Sequence, residues 1–319
     1  MQRHAEIPIN ANYSARQAGW IVQLMPYTLI NRLNPVFGYE LRQLGINVGQ
    51  FPRRSVMQVI YGMLFPLLLW GVVAVLSAST TQTMSNLYAA ISGQIIIAFF
   101  GIVALNVLLM DSYTLRYAVS GLADHFEPRR WSLVILTTLP LRRIVLARYV
   151  IAQLRLWSSL CVIVGVRLGI AILLPLHILV LVSSDNVIPS TLPPVLRPDA
   201  TYIQISIFAL SYVVMALTLA FEPLWRLRTL SAVSVATAAY SRDTSARFSY
   251  GVFSVVGFSA IQWSIIVVMM LVYLLDFMRG VGFGALVVMF VPLLLYTVDQ
   301  RMTQHWLLRA ERYLLKLEF

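Results

Sequence analysis

The chain has one lysine, one cysteine and few charges, and each shortage excludes a class of protein. Charged residues are 12% of the 319 residues and hydrophobic residues are 59%, which leaves too little polar surface to cover a soluble globule. The lone Cys161 excludes an intramolecular disulfide and a cysteine-based metal cluster. The single lysine, Lys316, lies outside any Gly-x-x-x-x-Gly-Lys-Ser/Thr motif, so no phosphate-binding loop of that type is present.

Long apolar stretches occupy most of the chain. A helix needs about 20 mainly apolar residues to cross a bilayer, because its backbone groups must be satisfied within the segment. Six stretches meet this requirement, at 56–78, 87–110, 157–182, 203–221, 251–275 and 281–298. We therefore predict an all-α polytopic membrane protein with six transmembrane helices. Its predicted parts are an N-terminal region (1–55), a six-span domain (56–298) and a C-terminal tail (299–319).

The basic residues predict the orientation of these spans. Lys and Arg near helix ends are retained on the cytoplasmic side, and 20 of the 24 basic residues fall before the first span, in the second and fourth gaps or in the tail. Both termini are therefore expected to be cytoplasmic, in a multi-pass protein of the cell inner (plasma) membrane. The net charge of +11 matches contact with anionic membrane lipid better than nucleic-acid binding.

Two moderately apolar segments lie outside the six predicted spans. Residues 13–34 mix apolar and polar positions and are too weakly hydrophobic to span, which predicts an N-terminal interfacial helix. Residues 226–240 are moderately apolar and follow Glu222-Pro223. They could extend a kinked fourth span or lie at the membrane interface, and the sequence leaves both possibilities open.

The longest predicted non-spanning stretch, 111–156, is rich in helix formers and is interrupted by Pro128 and Pro140. Pro128 suits the first turn of a helix and Pro140 suits a break, so two short helices are expected. The segment from Glu127 to Tyr149 reads as an amphipathic helix, a Thr-Thr-Leu-Pro-Leu turn and a basic helix that leads into the third span. Such a rigid projection can transmit motion between a soluble partner and the bundle.

This segment resembles the coupling region of the permease subunits of type-2 ATP-binding-cassette (ABC) transporters. The matching residues are Glu127, Arg129, Arg130, Leu136, Thr137, Pro140, Leu141, Arg142, Arg143, Ile144 and Leu146. The Asn34-Pro35 to Arg42 segment is similar to the family's approach to its first span, and Tyr240 to Arg247 is similar to its basic turn between spans four and five. The chain departs from the pattern at Ala147-Arg148, where the family usually has Gly-Lys, and at the inserted Leu139.

The resemblance implies a transport subunit that is not itself an enzyme. A cytoplasmic coupling helix between spans two and three would dock into a separate ABC ATPase subunit, which binds the ATP. The residues implied in ATPase coupling are Glu127, Arg129, Arg130, Trp131, Leu133, Leu136, Thr137, Pro140, Arg142 and Arg143. Two permeases, as a homodimer or heterodimer, would carry a substrate across the membrane, and we expect export. The alternative for this segment is an ordinary solvated interfacial helix.

Arg167 is the second candidate functional residue, because a charge at the bilayer centre costs at least ~2.5 kcal/mol. It lies near the middle of the third span, where Glu222 or Asp276 could neutralise it. A place on the transport path and a structural ion pair both remain open. No catalytic, cofactor-binding or metal-binding residues are expected, since the four histidines are scattered without ligand spacing. The alternatives for the whole chain are a non-transporting membrane assembly or scaffold subunit and, third, an intramembrane lipid-modifying enzyme.

Overall fold

The computed structural model describes residues 51–78, 101–122, 140–182 and 201–317. Within these ranges the chain is helical apart from short turns and contains no strand. The elements are α1 (Phe51–Ala78), α2 (101–116, ending in a π-helical turn, Tyr117–Leu122), α3 (Leu141–Val182), α4 (Tyr202–Tyr240), α5 (Thr244–Arg279), α6 (Phe283–Val288) and α7 (Val291–Leu317). Six helices are long and apolar enough to cross a membrane, with α6 and α7 counted as one.

These findings confirm the all-helical class and the number of apolar helices. The predicted interfacial helix at 13–34 and the coupling residues from Glu127 to Thr137 lie outside the described residues. The orientation of the termini and the choice of membrane stay predictions.

Helix α3 is the most buried of the six candidate spans. It begins directly after Pro140, whose carbonyl accepts a hydrogen bond of 2.8 Å from the Arg143 N–H, and it continues for 42 residues. Its first half contributes many of the fully buried apolar side chains, including Val150, Ile151 and Leu160. The basic segment that precedes the predicted third span is therefore the start of the same helix.

Helices α1 and α3 touch through glycines. A Cβ atom added to Gly62 would lie 2.5 Å from the Val162 carbonyl oxygen, and one added to Gly169 would lie 2.5 Å from the Met63 carbonyl oxygen. A Cβ at Gly165 would collide with the Val59 carbonyl. The Gly165/Gly169 spacing thus permits close helix packing, as its small-xxx-small pattern predicts. Elsewhere α1 exposes Tyr61, Phe65, Leu68, Leu69 and Val72, which suits contact with lipid.

Helix α4 passes unbroken through Pro223 and ends at Tyr240. A capping box starts it: the Thr201 hydroxyl accepts from the Gln204 N–H, and the Gln204 side chain accepts from the Thr201 N–H. Most residues from 226 to 239 are buried small or aliphatic ones, enclosed by α2, α3, α5 and α7. Residues 226–240 therefore continue the fourth apolar helix, and packing against neighbouring helices buries most of them.

The sixth predicted span (281–298) is two helices. Pro292 cannot donate to the Val288 carbonyl, and a proline disfavours the α conformation of the residue before it, so the helix is interrupted between Val288 and Val291. Helix α7 then continues through the predicted tail to Leu317. Trp306, Ala310 and Leu314 in this part are buried. The tight turn between α5 and α6 has positive φ at Gly280 (72°) and Gly282 (87°), a conformation that favours glycine.

A cluster of aromatic rings joins the C-terminal ends of α4 and α7 to the N-terminal end of α5. Tyr240 stacks on Tyr250 with ring centroids 4.1 Å apart, and the hydroxyls of Tyr250 and Tyr313 are 2.9 Å apart. Trp306 meets Tyr250 edge to face, and the Arg309 guanidinium lies 5.1 Å from the centroid of the Trp306 ring. We call Tyr240, Tyr250, Trp306 and Tyr313 the aromatic cluster; it fixes three helices at one end of the bundle.

Candidate functional site

A chain of alternating charges crosses the interior of the bundle. It runs from Arg167 on α3 to Glu222 on α4, then to Arg226 one turn along α4, and ends at Asp111 on α2. The N–O distances are 2.6 Å, 3.7 Å and 2.7 Å in that order. Two of these side chains are positive and two are negative, so the group as a whole is neutral. Such pairing is how charges are retained in an apolar interior. We call these four residues the charge chain.

Arg226 is the most completely bonded member of the charge chain. It is fully buried, and its Nε and Nη2 both donate to the Asp111 carboxylate. Nη1 donates to the Gln262 amide oxygen at 2.6 Å, and Nη2 also donates to the Ser259 hydroxyl at 2.6 Å. The Ser259 hydroxyl in turn donates to Asp111 at 2.9 Å, so α2, α4 and α5 share one hydrogen-bond network. Such a network fixes the relative position of three helices.

Arg167 is nearly as buried, with 2% of its side chain exposed, but it uses a single nitrogen. Its Nη1 donates to Glu222 at 2.6 Å and to the Leu219 carbonyl at 2.8 Å. Its Nε and Nη2 have no partner among the described residues and are closed off from solvent. The predicted pairing with Glu222 is therefore observed. Asp276 instead accepts a hydrogen bond of 2.8 Å from the Ala285 N–H at the start of α6.

Two prolines explain why α3 and α4 exchange hydrogen bonds. Pro223 has no N–H, so it leaves the Leu219 carbonyl without its helical donor, and Arg167 supplies one. Pro175 does the same to the Ala171 carbonyl, and the Tyr212 hydroxyl of α4 donates to it at 2.6 Å. Each helix thus satisfies the carbonyl that a proline leaves open in the other. Prolines are also positions where a helix bends most readily.

A smaller polar group lies further along α4. The Thr229 hydroxyl lies within 3.3 Å of the Asp299 carboxylate and 3.1 Å of the Thr303 hydroxyl, which links α4 to α7. Asp299 is 4% exposed. Among the residues that the structure describes, no three His, Cys, Asp or Glu side chains are placed to hold a metal ion.

A small cavity lies beside Leu219. A cavity that Thr218 and Leu219 line together with Met215, Met269 and Met270 measures about 20 Å³, which is room for about one water molecule. Its other walls are aliphatic side chains of α5, α6 and α7. The Arg167 and Glu222 side chains are 2% and 1% exposed, whereas the Asp111 side chain is 15% exposed.

No family model, curated protein or solved structure matches this chain at a significant level. The inference of function therefore depends on the chain's own residues.

Of the predicted coupling residues, Pro140, Arg142 and Arg143 lie within the described ranges. Pro140 immediately precedes α3, and both arginines are exposed on its first turn. Arg155, which stands further along α3, places its guanidinium 4.8 Å from the centroid of the Tyr117 ring. The structure does not bring the two predicted sites together. Arg142 and Arg167 are 25 positions apart on one helix, which is about 37 Å at 1.5 Å per residue.

Sequence reasoning missed four members of the buried polar network: Asp111, Arg226, Ser259 and Gln262. The hydropathy pattern places Asp111 at the start of the non-spanning stretch and Arg226 in the fourth gap. Both residues instead lie on helices inside the bundle. The sequence does contain a pattern that indicates the Glu222–Arg226 pair, since the two residues are four positions apart and share a helix face. When a long run of small and aliphatic residues follows a basic residue, the pattern favours a buried helix over a loop.

Proposed function

We propose that this chain is the permease subunit of an ATP-driven ABC transporter and that it exports its substrate. A separate ATPase subunit hydrolyses ATP, and two permeases assemble as the membrane-spanning unit. The chain itself performs no hydrolysis. Its role is to convert movement of the partner ATPase into movement of its own helices.

One observation carries this proposal most directly: α3 is unbroken from its exposed first turn to the charge chain. No proline occurs between Arg142 and Arg167, so force applied at the first turn acts on Arg167 through a continuous hydrogen-bonded helix. Arg167 in turn holds α4 through Glu222 and the Leu219 carbonyl. A partner that pushes on the coupling region would therefore move the α3–α4 contact deep in the bundle.

The resemblance of the 127–149 segment to the ABC coupling region supplies the identity of that partner. Its apolar residues Trp131, Leu133 and Leu136 are the expected anchors in the ATPase cleft. A buried anchor of this kind contributes about 1–2 kcal/mol to binding, so removal of one should weaken docking about tenfold.

The test uses the full-length chain, tagged in its native membrane and purified in a mild detergent. We expect a protein with a Gly-x-x-x-x-Gly-Lys-Ser/Thr motif to co-purify and the complex to hydrolyse ATP. Leu133→Ala and Leu136→Ala should each reduce the co-purified ATPase. Leu108→Ala is the matched control, because Leu108 is 62% exposed on the apolar face of α2.

Two outcomes would contradict the proposal. A purified complex without any ATPase would favour the assembly-subunit alternative. Full retention of the ATPase in the Leu133 and Leu136 variants, at the level of the Leu108 control, would show that the coupling segment does not dock.

A further inference from the structure

The two buried arginines of the charge chain differ in how many of their guanidinium nitrogens donate hydrogen bonds. Arg226 uses all three of its guanidinium nitrogens, on Asp111, Ser259 and Gln262. Arg167 uses Nη1 alone, although it is 2% exposed and has five N–H donors. A buried charged donor without a partner carries a substantial desolvation cost, so a purely structural arginine would be expected to resemble Arg226.

The two Arg167 nitrogens without a partner have a defined geometry. Nε and Nη2 lie on the same edge of the planar guanidinium, and their N–H bonds point in parallel. This edge forms two parallel hydrogen bonds with a carboxylate or a phosphate. Neither atom has a partner among the described residues. Glu222 and the Leu219 carbonyl occupy the remaining nitrogen, Nη1, and leave the edge open.

We propose that this edge of Arg167 is an anion-binding site between α3 and α4, and that its ligand is a carboxylate or phosphate group. Glu222 stays on Nη1 while the anion binds Nε and Nη2, so no existing pair has to break. The charge chain is neutral without ligand, and the nearby Glu222 carboxylate limits the affinity for a further anion. We therefore expect weak binding, which permits release.

Pro175 and Pro223 are the positions at which α3 and α4 can bend to open the site. In this conformation Nε and Nη2 are inaccessible to solvent, so an anion can enter only when α3 and α4 separate. Pro175 follows Arg167 by two turns and Pro223 follows Glu222 directly. Both helices lack a backbone hydrogen bond there, which makes these positions the natural bending points. The proposal deepens the proposed transport function by naming a substrate class, and it depends on that function only for translocation, not for binding.

The test measures ligand-dependent thermal stability, because a ligand that binds only the folded state raises the melting temperature in a saturable way. The full-length chain is purified in an uncharged detergent and titrated with sodium phosphate or sodium acetate against sodium chloride at equal ionic strength. A second arm uses nanodiscs of phosphatidylcholine with and without phosphatidylglycerol. The first arm detects a free anionic solute and the second a lipid headgroup.

Three variants make the result specific to Arg167. Arg167→Lys keeps the charge next to Glu222 but lacks the parallel edge, so we expect at least a tenfold loss of apparent affinity. Arg155→Lys is the matched control, an exposed arginine on the same helix, and should respond like the wild type. The double variant Arg167→Gln with Glu222→Gln removes both charges together and avoids an unpaired carboxylate. It should melt cooperatively without an anion response.

Saturable stabilisation in either arm that Arg167→Lys and the double variant lose would support the site. Absence of saturable stabilisation in the wild type in both arms would overturn it. So would an equal response in the Arg167 variants and in Arg155→Lys, since the anion would then bind elsewhere. The outcome is independent of the ATPase: an anion response in a chain that co-purifies with no ATPase would overturn the transporter proposal and leave the anion site standing.

Discussion

The Tyr212 hydroxyl donates a 2.6 Å hydrogen bond to the Ala171 carbonyl, the group that Pro175 leaves without its helical donor. The reverse exchange occurs about one turn away along α3 and about two turns away along α4, where Arg167 donates to the Leu219 carbonyl opened by Pro223. The two helices therefore depend on each other for backbone satisfaction. In an apolar surrounding no water replaces such a donor, so these bonds contribute directly to the α3–α4 contact.

Tyr212→Phe tests this exchange and should lower the free energy of unfolding by about 1 kcal/mol, since it leaves a carbonyl unsatisfied. Pro175→Ala restores an N–H that can bond the Ala171 carbonyl within α3. In the Pro175→Ala background, Tyr212→Phe should therefore cost clearly less, and thermal melting of the four proteins measures the coupling. Tyr202→Phe, at an 89% exposed tyrosine, is the control. Additive effects of the two changes would contradict the exchange.

Arg226→Gln should be among the most destabilising single substitutions in the chain. It leaves the Asp111 carboxylate without its arginine, and breaking a buried pair on one side costs about 3–5 kcal/mol. Arg226→Gln combined with Asp111→Asn should recover much of this loss, because no charge is then left alone. Arg279→Gln, at an exposed arginine in the last turn of α5, should have little effect. Equal melting temperatures for the Arg226 and Arg279 variants would disprove the structural role of Arg226.

Gly165→Ala should destabilise the α1–α3 contact by about 1–3 kcal/mol, the usual cost of overpacking. The added Cβ would collide with the Val59 carbonyl and would lie 2.9 Å from the Met63 nitrogen, both in the backbone of α1. Gly257→Ala is a close control, since a Cβ there meets nothing within 4 Å and alanine favours the helix. We expect opposite changes in melting temperature for the two variants. A neutral result at Gly165 would show that α1 adjusts without cost.

Asp243, the N-cap of α5, should make stability depend on pH in the acid range. Hydrogen bonds from the Ser245 hydroxyl, the Ala246 N–H and the Ser245 N–H lower the pKa of its carboxyl below the ordinary value of 3.8. A lowered pKa means that the carboxylate stabilises the fold above pH 3.8 and loses this effect as the pH falls through the lowered value. The difference in melting temperature between wild type and Asp243→Ala should thus be constant near neutrality and should shrink below pH 3.8. A difference that grows on acidification would be inconsistent with this cap.

Much of the fold follows from hydropathy alone, because backbone satisfaction in lipid leaves a long apolar segment few choices besides a helix. The all-helical class and the six apolar helices were predicted in this way and are confirmed. Hydropathy predicts the lengths of the helices less well. Helix α3 begins at Leu141 and α7 ends at Leu317, both beyond the apolar windows, since tertiary packing continues to bury one face after the hydropathy falls.

The candidate site was only partly accessible from sequence. A charge inside an apolar stretch drew attention to Arg167, and Glu222 was one of its two suggested partners. Asp111 and Ser259 could not be assigned, because their neighbours in the network come from other helices whose rotation and depth no sequence pattern fixes. The broken sixth span is different, since Pro292 is visible in the sequence and predicts the interruption once it is considered. The docking surface expected at Glu127 to Thr137 stays a prediction.

The end of α7 has a consequence for biosynthesis. Trp306, Ala310 and Leu314 are buried, and Tyr313 completes the aromatic cluster with Tyr240 and Tyr250. These residues are synthesised after the helices that they cover. The second half of α4 therefore reaches its final packing only after α7 has been made, and until then the new bundle has an uncovered flank.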